Sequence, residues 1–308
     1  MQVLSLSSQM VRRMKKFFFA LLHATHVMRV VAWINRNRVG ILCYHSVTGA
    51  DHALLEDPDK LHIPLRIFRQ HLDYLQTNFR VVSLAEFLSA RRERRKLPPY
   101  SVVLTFEDGF RNFATVVVPQ LLTRGLPATS FLVTDNGFAA ESSNGFRGWR
   151  SEDDSSFLSW KEVTALAGKG FEFGSHTSSH PRLLNLSLED ARIEFARSRD
   201  AIIRQIGQTE IPLSYPHGKT SEALSKLAAS MGYSCGLTTA LGLNNGSTDL
   251  FALRRTVIAC DDDLPTFAAR VSGLTWWTDK LLRPLRAATF RASRPGSIQI
   301  FTVEESDI

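Results

Sequence analysis

Residues 101–110, Ser-Val-Val-Leu-Thr-Phe-Glu-Asp-Gly-Phe, constrain the fold more than any other stretch of this 308-residue chain. Val102, Val103, Leu104 and Phe106 form a near-continuous apolar run. That is the pattern of a strand covered on both faces, which parallel sheets require and half-exposed antiparallel sheets do not. The run stops at Glu107, Asp108 and Gly109. Adjacent side chains on a strand point to opposite faces, so both carboxylates can enter one site only if the backbone turns there, and Gly109 supplies freedom for such a turn. The C-terminal mouth of a parallel strand is where α/β folds place their chemistry. A plain strand-end turn with a solvated Glu-Asp pair has the same local sequence.

The rest of the chain supplies partners for such a strand. Strands are expected at 39–45, 127–133, 171–176, 211–215, 235–239 and 251–259, with a short extended piece at 81–84. Between them lie helical patterns long enough for parallel crossovers. Phe68, Leu72 and Leu75 share one helix face, Ser159 and Glu162 read as a capping box, and Ser187 opens a helix with Leu188, Phe195, Ile202 and Ile206 on one side. Residues 46–64 and 134–157 read as polar loops. Seven or so such units with polar strand ends favour a closed α/β barrel over an open sheet.

Charge and cysteine content narrow the function classes. The net charge is +7, but basic residues gather at the two ends: Arg12, Arg13, Lys15 and Lys16, then Lys280, Arg283, Arg286, Arg291 and Arg294. A nucleic-acid groove would run through the domain, so nucleic acid is discounted. Cys43, Cys235 and Cys260 are too scattered for a disulfide framework and lack the spacing of a zinc ribbon, which fits a reducing compartment. Residues 1–38 form a basic segment. Its apolar run Phe17–Leu22 is followed by His23 and His26 rather than a small-residue cleavage site, and it falls short of the ~20 residues of a membrane span. Met14, Phe17, Leu21, Ala24, Met28 and Val31 recur at helical spacing. An amphipathic helix over residues 10–34 either lies on a membrane surface or packs on the domain. The tail, 273–308, offers Trp276, Trp277, Leu281 and Leu285 with the same two outcomes. The expected location is cytoplasmic, free or peripheral to the inner membrane.

Three further strand ends carry candidate chemistry. His176 and His180 are spaced i, i+4, which on a helical turn lets both imidazoles reach one ion. Two histidines and a carboxylate with open positions compose a catalytic divalent-metal site. In Ser214-Tyr-Pro-His-Gly218, Pro216 and Gly218 fix a turn whose backbone N–H groups could form an oxyanion hole. Ile41, Cys43 and His45 share a strand face, so His45 projects at the end of its strand, where a core histidine satisfied by hydrogen bonds has the same pattern; Cys43 reads as a small buried hydrophobe.

With these stretches in order, residues 39–272 resemble the polysaccharide deacetylases with a NodB-type homology domain, carbohydrate esterase family 4. The likeness is carried by Thr105-Phe-Glu-Asp-Gly109, Ser175-His-Thr-Ser-Ser-His180, Ser214-Tyr-Pro-His-Gly218 and Leu253-Arg-Arg-Thr-Val257. Ile41-Leu-Cys-Tyr-His-Ser-Val47 resembles the first strand of the branch containing poly-N-acetylglucosamine deacetylases. The resemblance implies a single catalytic domain, a distorted (β/α)7 barrel, preceded here by the N-terminal amphipathic helix. It implies hydrolysis of N-acetyl groups on an amino-sugar polysaccharide or glycolipid. Asp108, His176 and His180 would hold a divalent metal, foremost Zn²⁺, with Co²⁺ or Ni²⁺ as alternatives. Glu107 takes the place of the general base, His45 that of the proton donor to the leaving amine, and the His217 backbone N–H would help bind the oxyanion.

Departures from the family pattern bear on that expectation. The base is normally Asp, and Glu107 is one methylene longer. Ser214 stands where many members have an Arg that orients the base, a role Arg255 on a neighbouring strand could take. His217 replaces a common Tyr, and no Leu-x-His motif follows near the C-terminus. Glu107 and Ser214 motivate an alternative reading, a weak or inactive relative that binds saccharide or metal; the basic ends motivate another, a membrane-surface protein of a glycan pathway.

Overall fold

A computed structural model of the chain describes residues 13, 14, 16–49, 61–135 and 157–281. The described strands are β1 Gly40–Tyr44, β2 Ser46–Thr48, β3 His62–Pro64, β4 Arg80–Val81, β5 Ser101–Phe106, β6 Thr129–Leu132, β7 Glu172–Ser175, β8 Pro212–Ser214, β9 Cys235–Leu237 and β10 Thr256–Val257. The α-helices are α1 Lys16–Ala24, α2 Val27–Ile34, α3 Leu65–Asn78, α4 Leu84–Arg92, α5 Val118–Leu122, α6 Trp160–Ala167, α7 Leu188–Ile206, α8 Glu222–Ser230 and α9 Leu264–Val271, and residues 274–281 are also helical.

The main sheet is wholly parallel, in the order β10-β1-β5-β6-β7-β8-β9, with β4 pairing the start of β5. A bridge from Leu237 to Leu253 joins β9 to the chain just ahead of β10, curling the seven main strands into a distorted barrel. The two-faced burial anticipated for β5 follows from this layering. Leu42, Tyr44, Leu104 and Phe106 point outward onto Phe68, Leu72 and Leu75 of α3 and onto Phe113. Ile41, Val103, Phe131, Cys235, Leu237 and Leu253 fill the interior. Each such side chain stabilises the fold by roughly 1.5–3 kcal/mol when fully buried, so a charge at Val103 would break it. Cys43 is fully buried among them, and burial pushes its thiol pKa up, leaving it inert.

Local signals placed several helices correctly. Ser159 and Glu162 form the capping box of α6. Ser187 caps α7 by accepting from the Asp190 N–H, and Gly207 closes that helix in the left-handed region.

Other expectations need correction. Residues 46–64 are not all loop, because β2 and β3 pair in parallel with Ser46 opposite His62; a three-residue strand carries no usable periodicity. The last strand is shorter than 251–259, since only Thr256 and Val257 pair along β1. Most of the 134–157 loop, and the tail beyond residue 281 with Leu285, lie outside the described residues. The N-terminal apolar stripe does not form one face. His26 adopts a left-handed conformation, and α1 and α2 meet at 83°. The break resets the register: Phe19 and Met28 are buried against Ala268 and Ala269 of α9, while Met14, Phe17 and Leu21 are exposed. The Asn35 side-chain amide donates to the Ser272 carbonyl at 2.8 Å and ties the end of α2 to the barrel.

Candidate active site

The β1–β5 register sets the site. Tyr44 lies opposite Phe106, and the ladder continues one step as the Glu107 N–H donates to the Tyr44 carbonyl at 2.9 Å. His45 and Glu107 therefore leave adjacent strands at the same level, on the interior side set by Ile41, Cys43, Val103 and Thr105. Asp108 and Gly109 both adopt left-handed backbone, with φ of 68° and 73°. This is the turn that two neighbouring carboxylates need in order to share a site. A side chain at Gly109 would also meet Leu132 at 2.9 Å.

His176 follows β7, where its N–H donates to the Leu132 carbonyl at 2.8 Å. Its Nδ1 lies 2.8 Å from the Ser214 carbonyl. A carbonyl only accepts, so Nδ1 carries a proton and Nε2 faces the cavity. There it meets Glu107 Oε2 at 3.3 Å and Asp108 Oδ1 at 3.4 Å, and His180 Nε2 lies 3.7 Å from the same Asp108 oxygen. Three of these groups, Asp108, His176 and His180, each offer one ligand atom within 4.8 Å of the others.

The His176–His180 pair does not ride on a helical turn. Thr177 and His180 are left-handed, at φ 68° and 57°. The Ser178 and Ser179 N–H groups both donate to Glu194 Oε2, at 3.0 and 2.9 Å, while the His180 N–H donates to Thr177 Oγ1 at 3.1 Å. Glu194 of α7 shapes this loop, and sequence reasoning missed it. A glutamate beside the buried Phe195 on a long helix looks like any solvated helix residue.

Arg255 is the largest fully buried side chain among the described residues. Its Nη1 donates to Glu107 Oε1 at 2.5 Å and its Nη2 to Glu107 Oε2 at 3.3 Å and Ser214 Oγ at 2.9 Å; Nε donates to the Thr238 carbonyl at 2.8 Å. The Ser214 hydroxyl in turn donates to Glu107 Oε2 at 2.5 Å. Both oxygens of Glu107 are thus fixed, by an arginine arriving just before β10 and a hydroxyl at the end of β8. The guanidinium centre sits 5.9 Å over the Phe131 ring.

His217 lies in the turn after β8, left-handed at φ 59°, with its ring 4.8 Å from that of His180. The turn is as tight as the Pro-His-Gly sequence suggests, because a side chain at Gly218 would collide with Thr239. The buried Nδ1 of His45 has no hydrogen-bond partner. The β1–β5 register, carried on by the bond from the Glu107 N–H to the Tyr44 carbonyl, sets His45 level with Glu107.

Burial and charge set the protonation states. Burial pushes Glu107 up, but the Arg255 guanidinium, with His176, outweighs it and holds the carboxyl at about 2. Asp108 is raised to about 6 by burial, His176 opposing and Glu107 adding. His45 is lowered to about 4 and His180 to about 2, burial being the largest cause in each. Burial also lowers His217. At neutral pH these three histidines are uncharged, the state in which imidazole ligates metals.

The donor set fits a divalent cation. His176 Nε2, His180 Nε2 and the oxygens of two carboxylates converge, and a carboxyl held as high as Asp108 gains strongly from an adjacent positive charge. The carbonyl that orients His176 is the kind of outer partner that fixes a metal-binding imidazole.

Residues 94–236 match the family model described as polysaccharide deacetylase. YxkH of Bacillus subtilis (strain 168) is 24% identical over 247 residues, covering 79% of this chain and 80% of that protein. The poly-β-1,6-N-acetyl-D-glucosamine N-deacetylase of Escherichia coli (strain K12) is 28% identical over 232 residues; the match covers 66% of this chain but 34% of the enzyme. Among solved structures, the deacetylase PplD of Streptococcus pyogenes, determined with acetate, superposes with a TM-score of 0.65 at 23% identity, covering 76% of this chain and 98% of that one.

Proposed function

We propose, from the premise that this chain carries a polysaccharide deacetylase domain, that it is a divalent-metal-dependent hydrolase removing N-acetyl groups from an amino-sugar polysaccharide or glycolipid. The observation that carries this reading is the convergence of Asp108, His176 and His180 within 4.8 Å, beside a carboxylate whose two oxygens are fixed by Arg255 and Ser214. The N-acetylglucosamine polymer named for the Escherichia coli relative supplies the substrate class.

Asp108, His176 and His180 would hold the ion, which when bound supplies Lewis acidity toward the acetyl carbonyl and the attacking water. Zn²⁺ is the first candidate, with Co²⁺ and Ni²⁺ as alternatives. Glu107 accepts the proton of the attacking water, and Arg255 and Ser214 hold its carboxylate in position. The backbone N–H of His217 donates to the oxygen that becomes negative in the tetrahedral adduct. His45 delivers a proton to the departing nitrogen. It is neutral in the free protein, and the negative charge developing on the adduct offsets the burial that keeps it so.

A second reading, a weak or inactive saccharide- or metal-binding relative, draws on the depression of Glu107 to about 2, since so acidic a group is a poor base at neutral pH. Acetate release from N-acetylglucosamine oligomers separates the two. The enzyme reading expects release with Zn²⁺, Co²⁺ or Ni²⁺, none with EDTA, and none from the Asp108→Ala/His176→Ala variant. Metal binding without acetate release from any N-acetylated oligomer supports the second reading, and unchanged metal content in the double variant overturns the site.

A further inference from the structure

Helices α1 and α2 have two apolar sides each, and the barrel uses only one. Phe19 and Met28 face Ala268 and Ala269. On the other sides Phe17 is 75% exposed, Leu21 53%, Val30 57%, Trp33 56% and Ile34 57%. Seven of the thirteen exposed large apolar side chains among the described residues fall between Met14 and Ile34. Exposed apolar residues scattered singly need no explanation, but such a concentration on one short segment marks a contact surface.

Charge identifies the partner. Residues 1–50 contain seven of the 37 lysines and arginines and none of the 30 aspartates and glutamates. The remaining 258 residues are balanced, 30 against 30, so the whole net charge of +7 belongs to this segment. Arg13 and Arg29 are exposed on it, and the Arg36 guanidinium lies 4.5 Å from the centre of the Trp33 ring. Apolar and aromatic side chains framed by arginine and lysine, without acids, fit the boundary between headgroups and acyl chains of an anionic bilayer.

We propose that the outward side of α1 and α2 is a docking surface for an anionic lipid bilayer, on which the protein lies without crossing. No single described helix is long and apolar enough to span, and α1 and α2 reach that length and apolarity only together, across a bend of 83°. The pair is also clamped to the barrel by Phe19, Met28, the Asn35–Ser272 bond and the Lys16 ammonium, which donates to the Asp261 carbonyl at 2.7 Å. The barrel is therefore held against the membrane rather than tethered at a distance.

The test is co-sedimentation of the full chain with vesicles of phosphatidylcholine and phosphatidylglycerol (3:1) and of phosphatidylcholine alone. Binding to the anionic vesicles is expected to exceed that to neutral ones at least tenfold and to fall with 0.5 M NaCl. Phe17→Ser/Leu21→Ser/Trp33→Ser, all at exposed positions, should lose at least tenfold in binding, as should Arg13→Glu/Arg29→Glu. Both variants should keep the wild-type circular dichroism spectrum. Absence of wild-type binding, equal binding to both vesicle types, or a dimer in sedimentation analysis that the serine variant dissolves would overturn the proposal, the last by assigning the surface to a second copy. None of these readouts depends on the deacetylase reading.

Discussion

Replacing Arg255 with Met tests whether the Glu107 carboxylate is held as the structure shows. The substitution keeps much of the side-chain volume but removes four hydrogen bonds, two of them to Glu107. Glu107 is 3% exposed and would retain only the Ser214 hydroxyl and the edge of His176. Removing one partner of a buried ion pair costs about 3–5 kcal/mol, because the remaining charge stays buried or must take up a proton. That is a large share of the ~5–15 kcal/mol that stabilises a typical domain. Replacing both partners by apolar groups removes the stranded charge, so Glu107→Leu/Arg255→Met should lie within about 2 kcal/mol of wild type. Arg255→Lys is the milder companion: it keeps the charge, but one ammonium cannot serve Glu107, Ser214 and Thr238 in the geometry of the fork. It should fold and lose turnover while retaining metal. The assay is urea unfolding followed by circular dichroism at pH 7 in EDTA, combined as a double-mutant cycle with an expected coupling of at least ~2 kcal/mol. Additive losses, or an Arg255→Met cost below about 1 kcal/mol, would refute the ion pair and the positioning role built on it.

Further outcomes follow from the same site. Glu107→Gln should bind metal normally, measured by competition with a chromophoric chelator, and lose ~10²–10⁴-fold in turnover; full activity would place the base elsewhere. Glu107→Asp separates the two functional readings, since an inert protein that gains activity with Asp is a weakened relative. His45→Ala should keep metal affinity and lose turnover on N-acetyl substrates much more than on esters with good leaving groups, whereas equal losses would make His45 structural. His71, stacked on Phe267 at 3.8 Å between ring centroids, is held at about 4, mainly by burial. A histidine whose folded pKa is depressed adds stability above its unfolded pKa, 6.5, and loses it as pH falls through about 4. At ~1.36 kcal/mol per pKa unit, His71 contributes about 3 kcal/mol to the drop in metal-free stability over that window. His71→Gln should flatten the drop by that order in urea midpoints at pH 7 and pH 4, and an unchanged drop would show that His71 titrates normally.

The barrel was legible because its determinants are local and repeated. Val102 to Phe106 could only be a two-faced strand, and the Ser159 and Ser187 caps mark helix starts within a few residues. The candidate ligand set was legible because it sits at the ends of two strands, β5 and β7, where sequence position and spatial position coincide. What escaped depends on contacts between distant parts. The loop from Thr177 to His180 takes its shape from Glu194, whose sequence context resembles a solvated helix face. The i, i+4 spacing of His176 and His180 suggested a helical turn, yet the backbone reaches the same convergence through two left-handed residues. His26 breaks the N-terminal helix where the apolar repeat runs on undisturbed, so the residues of the repeat do not share one face. Arg255 was identifiable as a partner for Glu107, but its contacts with Ser214 and Thr238 could not be read from any one segment.

The ion pair between Glu107 and Arg255 joins residues 148 apart in sequence, which gives the candidate site an order of synthesis. During translation Asp108, His176 and His180 all emerge before Arg255. At ~5–20 residues per second, Glu107 leaves the ribosome roughly 7–30 s ahead of its counter-charge. Until Arg255 is made, Glu107 has no cation to fix its carboxylate. Chains interrupted before residue 255 would carry Asp108, His176 and His180 and yet lack the cation that fixes Glu107.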